Sequence, residues 1–338
     1  MPETVLEQVL VDLKTSAAGH YPEAGELTGL RVVGHTPRHD HFIYDLCADF
    51  ARGVERMAVK VYRPGKNGTQ PKTLAAKENE NLRFVHQALG KKKLEGIPRL
   101  LGDFTRLGAV VTAKISGLPL QSMIMKATLL PGNAAGNAAA AARQAGEWLR
   151  RFHKATAQVA PPFDGQALMS RLEELCAQCR QHGLDENSVN LVLSAARRTL
   201  VNVKKTLPSS AVLGEFTPLN VMVTEDSVGY SDFSRLQQHS ASLEDVAQFL
   251  ACVEALEKYP FCDREITRSV QETFLKAYGA NQTESALLPL LKIKALLGIF
   301  AHAGEIKEDG ARKTIMWANI MRRFIRQAAQ RTLEPMAA

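Results

Sequence analysis

The pattern of apolar and polar positions changes its period along the chain. Residues 3–16 place apolar side chains at the spacing of one helix face, which predicts a short amphipathic helix. Further along, apolar residues recur in short runs separated by polar turns, which predicts strands at 30–34, 41–50 and 56–62. Successive short strands joined by polar turns are typical of an antiparallel sheet.

A helical period returns over residues 74–89, and two apolar runs at 100–104 and 109–113 are predicted as further strands. The Ile-Ser-Gly-Leu-Pro segment that follows breaks the pattern, because glycine and proline interrupt regular structure. A chain of 338 residues is too long for one core, so we place the boundary between two lobes at this break.

The candidate chemistry is concentrated in one stretch, AVLGEFTPLNVMVTEDSVGYSDFSR. Two short apolar runs flank a polar turn at 225–227, a pattern that predicts a hairpin. Glu215 and Asn220 come before and inside the first run, and Asp232 follows the second. Such groups at one edge of a hairpin could hold a divalent metal and orient a hydroxyl, the minimal equipment for phosphoryl transfer. Singly, Asn220 and Asp232 are also typical of turns and caps.

Lys60 lies amid apolar neighbours on the third predicted strand. A lysine in that setting either extends to water, as on an edge strand, or meets an anion. On the helix that follows, Glu78 lies near the apolar face and can turn toward the sheet to pair with Lys60. Alternatively, Glu78 pairs with Lys77 or Arg83 on a solvated face.

In their order and spacing along the chain, these residues resemble those of the aminoglycoside phosphotransferase and choline kinase family, which has the protein-kinase-like fold. The matching features are the Val-Lys of the third strand, the helix glutamate, Gly-Glu-Phe-Thr-Pro-Leu-Asn at 214–220 and Ser-Asp-Phe at 231–233. The helix that ends in Phe152-His153 and the segment 242–247 also fit. The resemblance covers about residues 27–250.

The resemblance implies an α+β fold of two lobes. The N-terminal lobe, residues 1–116, would be the nucleotide-binding lobe, with an antiparallel sheet, a helix and the N-terminal helix at about 3–16. The C-terminal lobe, residues 117–338, would be mainly helical and carry the catalytic loop, the metal site and the acceptor-binding helices.

The family's nucleotide-binding residues can be carried over by position. Lys60 would hold the α- and β-phosphates of ATP, and Glu78 would keep that lysine in place. Val111, Ala113 and Ile115 would belong to the hinge that gives backbone hydrogen bonds to the adenine.

Catalysis would fall to three residues of the second half. Glu215 would take the place of the catalytic aspartate, and Asn220 and Asp232 would bind Mg²⁺. The family usually reads His-Gly-Asp where this chain reads Leu213-Gly-Glu. A misplacement of about 1 Å can cost roughly 100-fold in rate. The chain is therefore either a working small-molecule phosphotransferase or a catalytically impaired nucleotide-binding module, a pseudokinase. The retained metal ligands and the retained Lys60 and Glu78 favour the enzyme.

The composition of the chain indicates where in the cell the protein is located and in which state its cysteines are. Hydrophobic content of 45% and charged content of 23% are ordinary for a soluble globular protein. The chain starts without the basic-then-apolar order of a signal peptide, and no apolar run approaches the roughly 20 residues of a membrane span. The five cysteines are scattered, and Cys176 and Cys179 fall inside a helical pattern. We expect reduced thiols in a cytoplasmic protein, with Cys176 and Cys179 as a packed pair rather than a redox or zinc site.

The net charge of +7 is concentrated at the C-terminal end. From position 311 onward the charged residues are Arg312, Lys313, Arg322, Arg323, Arg326 and Arg331 against Glu334 alone. This basic helix is either the solvated face of a docked helix or a surface for weak contact with a membrane or anionic lipid. We expect no nucleic-acid partner, and the sequence carries no signal for an oligomeric state.

The sequence does not identify the acceptor substrate. Acidic residues that would suit a polycationic aminoglycoside follow Asp232, namely Glu244, Asp245, Glu254, Glu257, Asp263 and Glu265. The same lobe ends in a basic helix, so another sugar or amino alcohol, or a lipid-linked sugar, fits as well. A protein substrate is disfavoured, because only about ten residues separate Asp232 from the segment at 242, too few for a peptide-binding activation loop.

Overall fold

The computed structural model describes residues 2–65, 68–90, 94–130, 132–159, 163–201, 203, 207–259, 261–280, 282–305 and 311–334. For residues 282–285, 304–305 and 311–316 it describes the backbone alone. The chain divides into two compact units, Met1–Gly117 with Thr224–Leu236 and Leu118–Val223 with Gln237–Ala338. The sequence-based division placed Asp232 in the C-terminal lobe, whereas its segment packs with the first unit.

The helices α1 to α10 are, in chain order, Pro2–His20, Pro71–Leu89, Leu120–Leu129, Ala134–Ala155, Gly165–Gln181, Glu186–Val201, Leu243–Ala255, Arg264–Tyr278, Gln282–Glu305 and Ala311–Leu333. The strands β1 to β9 are Leu27–Pro37, His41–Phe50, Gly53–Tyr62, Ala109–Ala113, Leu118–Pro119, Ser209–Val212, Val221–Val223, Val228–Tyr230 and Gln237–Ala241. Short 3₁₀ turns occupy Pro22–Ala24, Thr105–Leu107 and Leu256–Lys258.

The first unit is built on an antiparallel sheet in the order β1-β2-β3-β4. Side chains alternate between the two faces of a strand. Met57, Val59 and Val61 of β3 therefore share one face, and they are buried in the same cluster as the apolar side of α1. Lys60 and Tyr62 point to the opposite face, and both bind Glu78 of α2.

Residues 100–104, predicted as a strand, do not form one. Leu100 makes a single antiparallel bridge to Thr112. Asp103 accepts the backbone N–H of Thr105 at 3.1 Å and its hydroxyl at 2.7 Å, where the 3₁₀ turn begins. A side chain that satisfies local donors competes with a strand ladder, which explains why the apolar pattern was misleading here.

The second unit is mainly helical. Helix α4 packs closely against α8, α7 against α9, and α10 against α6 and α9. The approach of α4 to α8 requires Gly146, because a Cβ atom there would lie 2.5 Å from the backbone oxygen of Phe274. A small strand pair, β6 with β9, leads into and out of the segment that carries Glu215.

One helix window among the described residues, Ala286–Ala303 of α9, has the length and composition to cross a membrane. This differs from the expectation that no apolar run comes near that length. The window spans 18 residues with a mean hydropathy of 1.6, and half of it is buried inside the unit. Helix α9 packs against α5, α6, α7 and α10, so the apolar composition is that of a core helix.

The C-terminal helix α10 is docked. Its residues Met321, Phe324 and Ile325 are buried, so the apolar side of this helix belongs to the core of the second unit. Arg312 and Lys313 of the basic segment lie outside the residues whose side chains are described. Contact of this helix with anionic lipid stays a prediction.

Candidate functional site

Lys60 is the centre of a buried ion cluster in the first unit. Its strand β3 is internal to the sheet, and its side chain is only 10% exposed. The Lys60 Nζ donates to Glu78 Oε1 at 2.6 Å and to Asp232 Oδ1 at 3.0 Å. A buried lysine needs anions to compensate its lost hydration, and two carboxylates do so here. The edge-strand alternative for Lys60 is therefore wrong.

Lys60 and Asp232 hold each other in the charged state. Burial by itself lowers the pKa of Lys60, but the attraction of Asp232 and Glu78 outweighs it and raises that pKa above its usual value. Burial raises the pKa of Asp232, but the charge of Lys60 and hydrogen bonds from Ser234 outweigh it and leave that pKa lowered. At neutral pH Lys60 is thus an ammonium ion and Asp232 a carboxylate.

Helix α2 fixes this cluster through two side chains. The Glu78 Oε2 accepts the hydroxyl of Tyr62, and Oε1 also accepts the backbone N–H of Phe233 at 3.2 Å. Asn81 Nδ2 donates to the Phe233 carbonyl oxygen at 2.7 Å. The role of Tyr62 was missed at the sequence level, although its position two residues after Lys60 places it on the same face.

The strand before Asp232 is held by a close backbone approach. The predicted turn is present, with the N–H of Thr224 donating to the Ser227 carbonyl oxygen at 2.9 Å. The N–H of Tyr230 donates to Gly96 at 2.9 Å, and a Cβ atom at Gly229 would lie 2.9 Å from the Gly96 Cα. Glycine at 229 therefore permits the contact that positions the end of β8.

The predicted hinge residues differ in what their backbone groups do. The Val111 carbonyl oxygen accepts the N–H of Leu101 at 2.9 Å, and the N–H of Ala113 donates to Arg99 at 2.8 Å. These two groups are already used inside the first unit. The N–H of Ile115 donates to no described residue. The amide of Ile115 is therefore available, among the described residues, for a hydrogen bond to an adenine ring.

In the second unit, a buried carboxylate anchors the loop that carries Glu215. Asp245, in the first turn of α7, accepts the backbone N–H of Leu213 at 2.8 Å and of Gly214 at 2.9 Å. Its Oδ2 also lies 3.1 Å from His153 Nε2. The loop is therefore held through its backbone, although Leu213 stands where the resembling family has a histidine.

The residue after Glu215 is fixed by aromatic packing. Phe216 is 1% exposed, and its ring centroid lies 6.1 Å from that of Trp148 and 5.8 Å from that of Phe249. The Glu215 carbonyl oxygen accepts a hydrogen bond from Asn220 Nδ2 at 3.2 Å. The structure thus brings together the two predicted site residues of the second unit, as it does Lys60, Glu78 and Asp232 in the first.

The donor groups fit the predicted cation. No described residue donates a hydrogen bond to Asp232 Oδ2, and the Asp232 side chain is 13% exposed. Asn220 carries an amide oxygen, and Mg²⁺ prefers oxygen ligands of both kinds. Across the described ranges, no group of three or more His, Cys, Asp or Glu side chains forms a metal cluster.

The second unit also contains a cavity of about 350 Å³ away from these residues. Its lining is mostly apolar and includes Leu168, Leu207 and Leu291. Glu244 and Lys294 also line it and pair with each other at 2.9 Å. None of the predicted site residues lines this cavity.

Solved structures with this fold span nearly the whole chain. A choline kinase from Cryptosporidium parvum Iowa II is 12% identical, with a TM-score of 0.61 and coverage of 97% of this chain and 96% of that chain. Amicoumacin kinase in complex with AMP-PNP, Ca²⁺ and Ami is 14% identical, with a TM-score of 0.56 and coverage of 94% and 95%. Glucosamine kinase in complex with glucosamine, ADP and inorganic phosphate is 14% identical, with a TM-score of 0.54 and coverage of 92% and 96%. This likeness confirms the predicted α+β, protein-kinase-like fold class.

The sequence comparisons add the family. No curated protein matches the chain. The model of the phosphotransferase enzyme family matches residues 49–236, more than half of the 338 residues. The matched range runs from β2 through Lys60 and Glu215 to just beyond Asp232. The predicted resemblance is confirmed, and the chain belongs to the phosphotransferase enzyme family.

Proposed function

We propose that the protein is an ATP- and Mg²⁺-dependent phosphotransferase that transfers the γ-phosphoryl group to a hydroxyl of a small molecule. The observation that carries this proposal is the buried Lys60, held between Glu78 and Asp232. An ammonium ion fixed in this way can stabilise phosphate charge without reorganising. Family membership supports the same reaction class.

The residues of the first unit have distinct roles in this proposal. Lys60 donates to the phosphates of ATP, Glu78 keeps Lys60 in place, and the N–H of Ile115 meets the adenine. Asp232 would bind Mg²⁺ through its carboxylate. In the second unit, Asn220 carries an amide oxygen that also suits Mg²⁺. Bound there, Mg²⁺ would supply positive charge that offsets the charge developing on the phosphate oxygens.

Glu215 orients the acceptor hydroxyl and accepts its proton. Because Asp245 fixes the backbone at Leu213 and Gly214, the loop is rigid before the catalytic position. Phe216 anchors the chain directly after it. Only the side-chain torsions of Glu215 then have to compensate for the extra methylene, which supports an adapted enzyme rather than a damaged one.

The test is ATP consumption across a panel of hydroxylated metabolites. Asp232→Ala should lower turnover by about 100-fold or more, because it removes a group that neutralises transition-state charge. Asp226→Ala is the matched control, since Asp226 is exposed in the turn before β8 and should keep the wild-type rate. Turnover that survives Asp232→Ala would contradict the metal-binding role.

The second candidate is a nucleotide-binding module without transfer, and the glutamate at position 215 is the observation that favours it. An enzyme should lose rate in Glu215→Gln and also in Glu215→Asp, whose shorter side chain no longer fits the loop. A silent module should bind ATP in calorimetry but form no ADP with any acceptor, in the wild type and in Glu215→Gln alike.

A further inference from the structure

Four of the six acidic residues that follow Asp232 in the sequence, namely Glu244, Asp245, Glu254 and Glu257, have charged or hydrogen-bonding partners inside the second unit. Three carboxylates on α7 and just after it each pair with a basic side chain: Glu244 with Lys294, Glu254 with Lys292 and Glu257 with Arg264. Asp245 is occupied by His153 and the loop backbone, and Asp263 accepts the N–H of Glu265 at the start of α8. This set is therefore poorly suited to bind a polycation.

Lys258 differs from these carboxylates, because its described neighbours are aromatic rings and not a side chain of opposite charge. It lies half-buried at the end of the 3₁₀ turn after α7, and its Nζ is 5.2 Å from the ring centroid of Tyr259 and 5.7 Å from that of Trp317. The Trp317 ring stacks in turn on Phe300 at 5.8 Å. Lys258 pairs with no carboxylate in the described parts of the chain. Burial lowers its pKa, as expected for a cation that is partly removed from water.

One face of α7 connects the catalytic loop with this lysine. Asp245, Gln248 and Cys252 are spaced by three and four residues and so share a helix face. Asp245 anchors the loop of Glu215, and Gln248 Nε2 donates to Cys252 Sγ at 3.6 Å. Burial raises the pKa of Cys252 to about 12, the charge of Glu215 adds to the rise, and Lys258 opposes it. The thiol is thus within electrostatic range of both charged groups.

We propose that Lys258 binds an anionic group, a carboxylate or a phosphate, on the same acceptor whose hydroxyl Glu215 orients. This inference rests on the proposed phosphotransferase function and narrows the acceptor to a hydroxylated anion. A half-buried ammonium ion without a counter-ion gains more from an incoming anion than a solvated one does. Tyr259 and Trp317 fix the position of that charge, so they favour one placement of the acceptor.

The experiment compares matched acceptors that differ in charge. Glucuronate, glucose and glucosamine form one series, and glycerol 3-phosphate, glycerol and choline form another, so the two series distinguish a carboxylate from a phosphate. ADP formation gives kcat and KM, and titration calorimetry gives binding of each compound to the protein. We expect glucuronate or glycerol 3-phosphate to exceed its neutral partner by about 10-fold or more in kcat/KM or in affinity.

Substitutions of Lys258 test whether this residue causes the preference for an anionic acceptor. Lys258→Met should lower kcat/KM for the anion by about 10- to 100-fold, mainly through KM, while Lys258→Arg retains most of it. Lys258→Glu should shift the preference toward glucosamine or choline, a gain that misfolding cannot produce. Lys276→Met, at an exposed position of α8, is the control and should behave as the wild type.

Three results would overturn the inference. They are wild-type preference for the neutral or cationic compounds, no binding or turnover of either anion, and an anion preference that survives Lys258→Met. If ATP consumption with glucose or choline is lost in Asp232→Ala, the phosphotransferase function stands even when the anion site fails. Conversely, Lys258-dependent binding of glucuronate without ADP formation would support the anion site and contradict the phosphotransferase.

Discussion

Replacing Asp245 with asparagine tests whether a buried charge anchors the catalytic loop. The carboxylate is fully buried and receives the N–H groups of Leu213 and Gly214 and the ring of His153. Asparagine has one accepting oxygen and one amide nitrogen, so at least one of these donors faces another donor. A hydrogen bond to a charged group contributes about 1.5–3 kcal/mol, and the remaining bonds weaken when the charge is lost. We therefore expect the free energy of unfolding of the second unit to fall by about 2–4 kcal/mol.

Tryptophan fluorescence can report this change selectively. The chain has two tryptophans, Trp148 and Trp317, and both belong to the second unit. Urea unfolding followed by their emission therefore measures the unit that contains Asp245. Glu244→Gln, at the neighbouring helix position, is the control. It breaks a pair with Lys294 whose side chains are each more than a fifth exposed, so it should cost no more than about 1 kcal/mol.

Turnover supplies the second readout. If the loop shifts by about 1 Å, Asp245→Asn should lower kcat by roughly 100-fold, beyond any loss of folded protein. An unchanged urea midpoint in Asp245→Asn would refute the anchoring role of the carboxylate. A lowered midpoint with wild-type kcat would show that the anchor stabilises the unit but does not position Glu215.

Three further predictions concern other parts of the chain. Lys60→Met leaves two buried carboxylates without a cation, so it should lower the free energy of unfolding by about 3–5 kcal/mol and abolish ATP binding in calorimetry; retention of both would contradict the role of the cluster. Burial is the main reason why the pKa of Cys176 is raised to about 11 and that of Cys179 to about 12. At about pH 8 neither thiol of the native protein should therefore react with Ellman's reagent, whereas the urea-unfolded protein should react fully. Rapid reaction of this pair in the native protein would favour a redox role. A hydrogen bond with His41 lowers the pKa of Asp40 to about 2, so its contribution to stability is present above the unfolded value of about 3.9 and is lost as the pH falls toward about 2. Urea midpoints measured between about pH 4 and pH 2 should accordingly fall more steeply in the wild type than in Asp40→Asn.

The sequence predicted the local elements wherever local physics decided them. The two-residue period of β3 indicated a strand, and it placed Lys60 among apolar residues where a cation requires an anion. The helical period of α2 put Glu78 on the face toward the sheet. Residues 100–104 show the limit, because the side chain of Asp103 satisfies nearby donors and ends a run that its apolar residues favour as a strand.

The fold class, the family and the types of residue at the site thus followed from the sequence. Which of the charges are compensated depends on the packing of distant elements. The partner Asp232 lies 172 positions from Lys60, and the lysines that neutralise Glu244 and Glu254 come from α9. Such pairs depend on how distant elements pack, and burial then sets the cost of any charge that stays unpaired. For that reason the acidic run after Asp232 left a polycationic acceptor open in the sequence, whereas in the structure Lys258 pairs with no carboxylate among the described residues of the unit that carries Glu215.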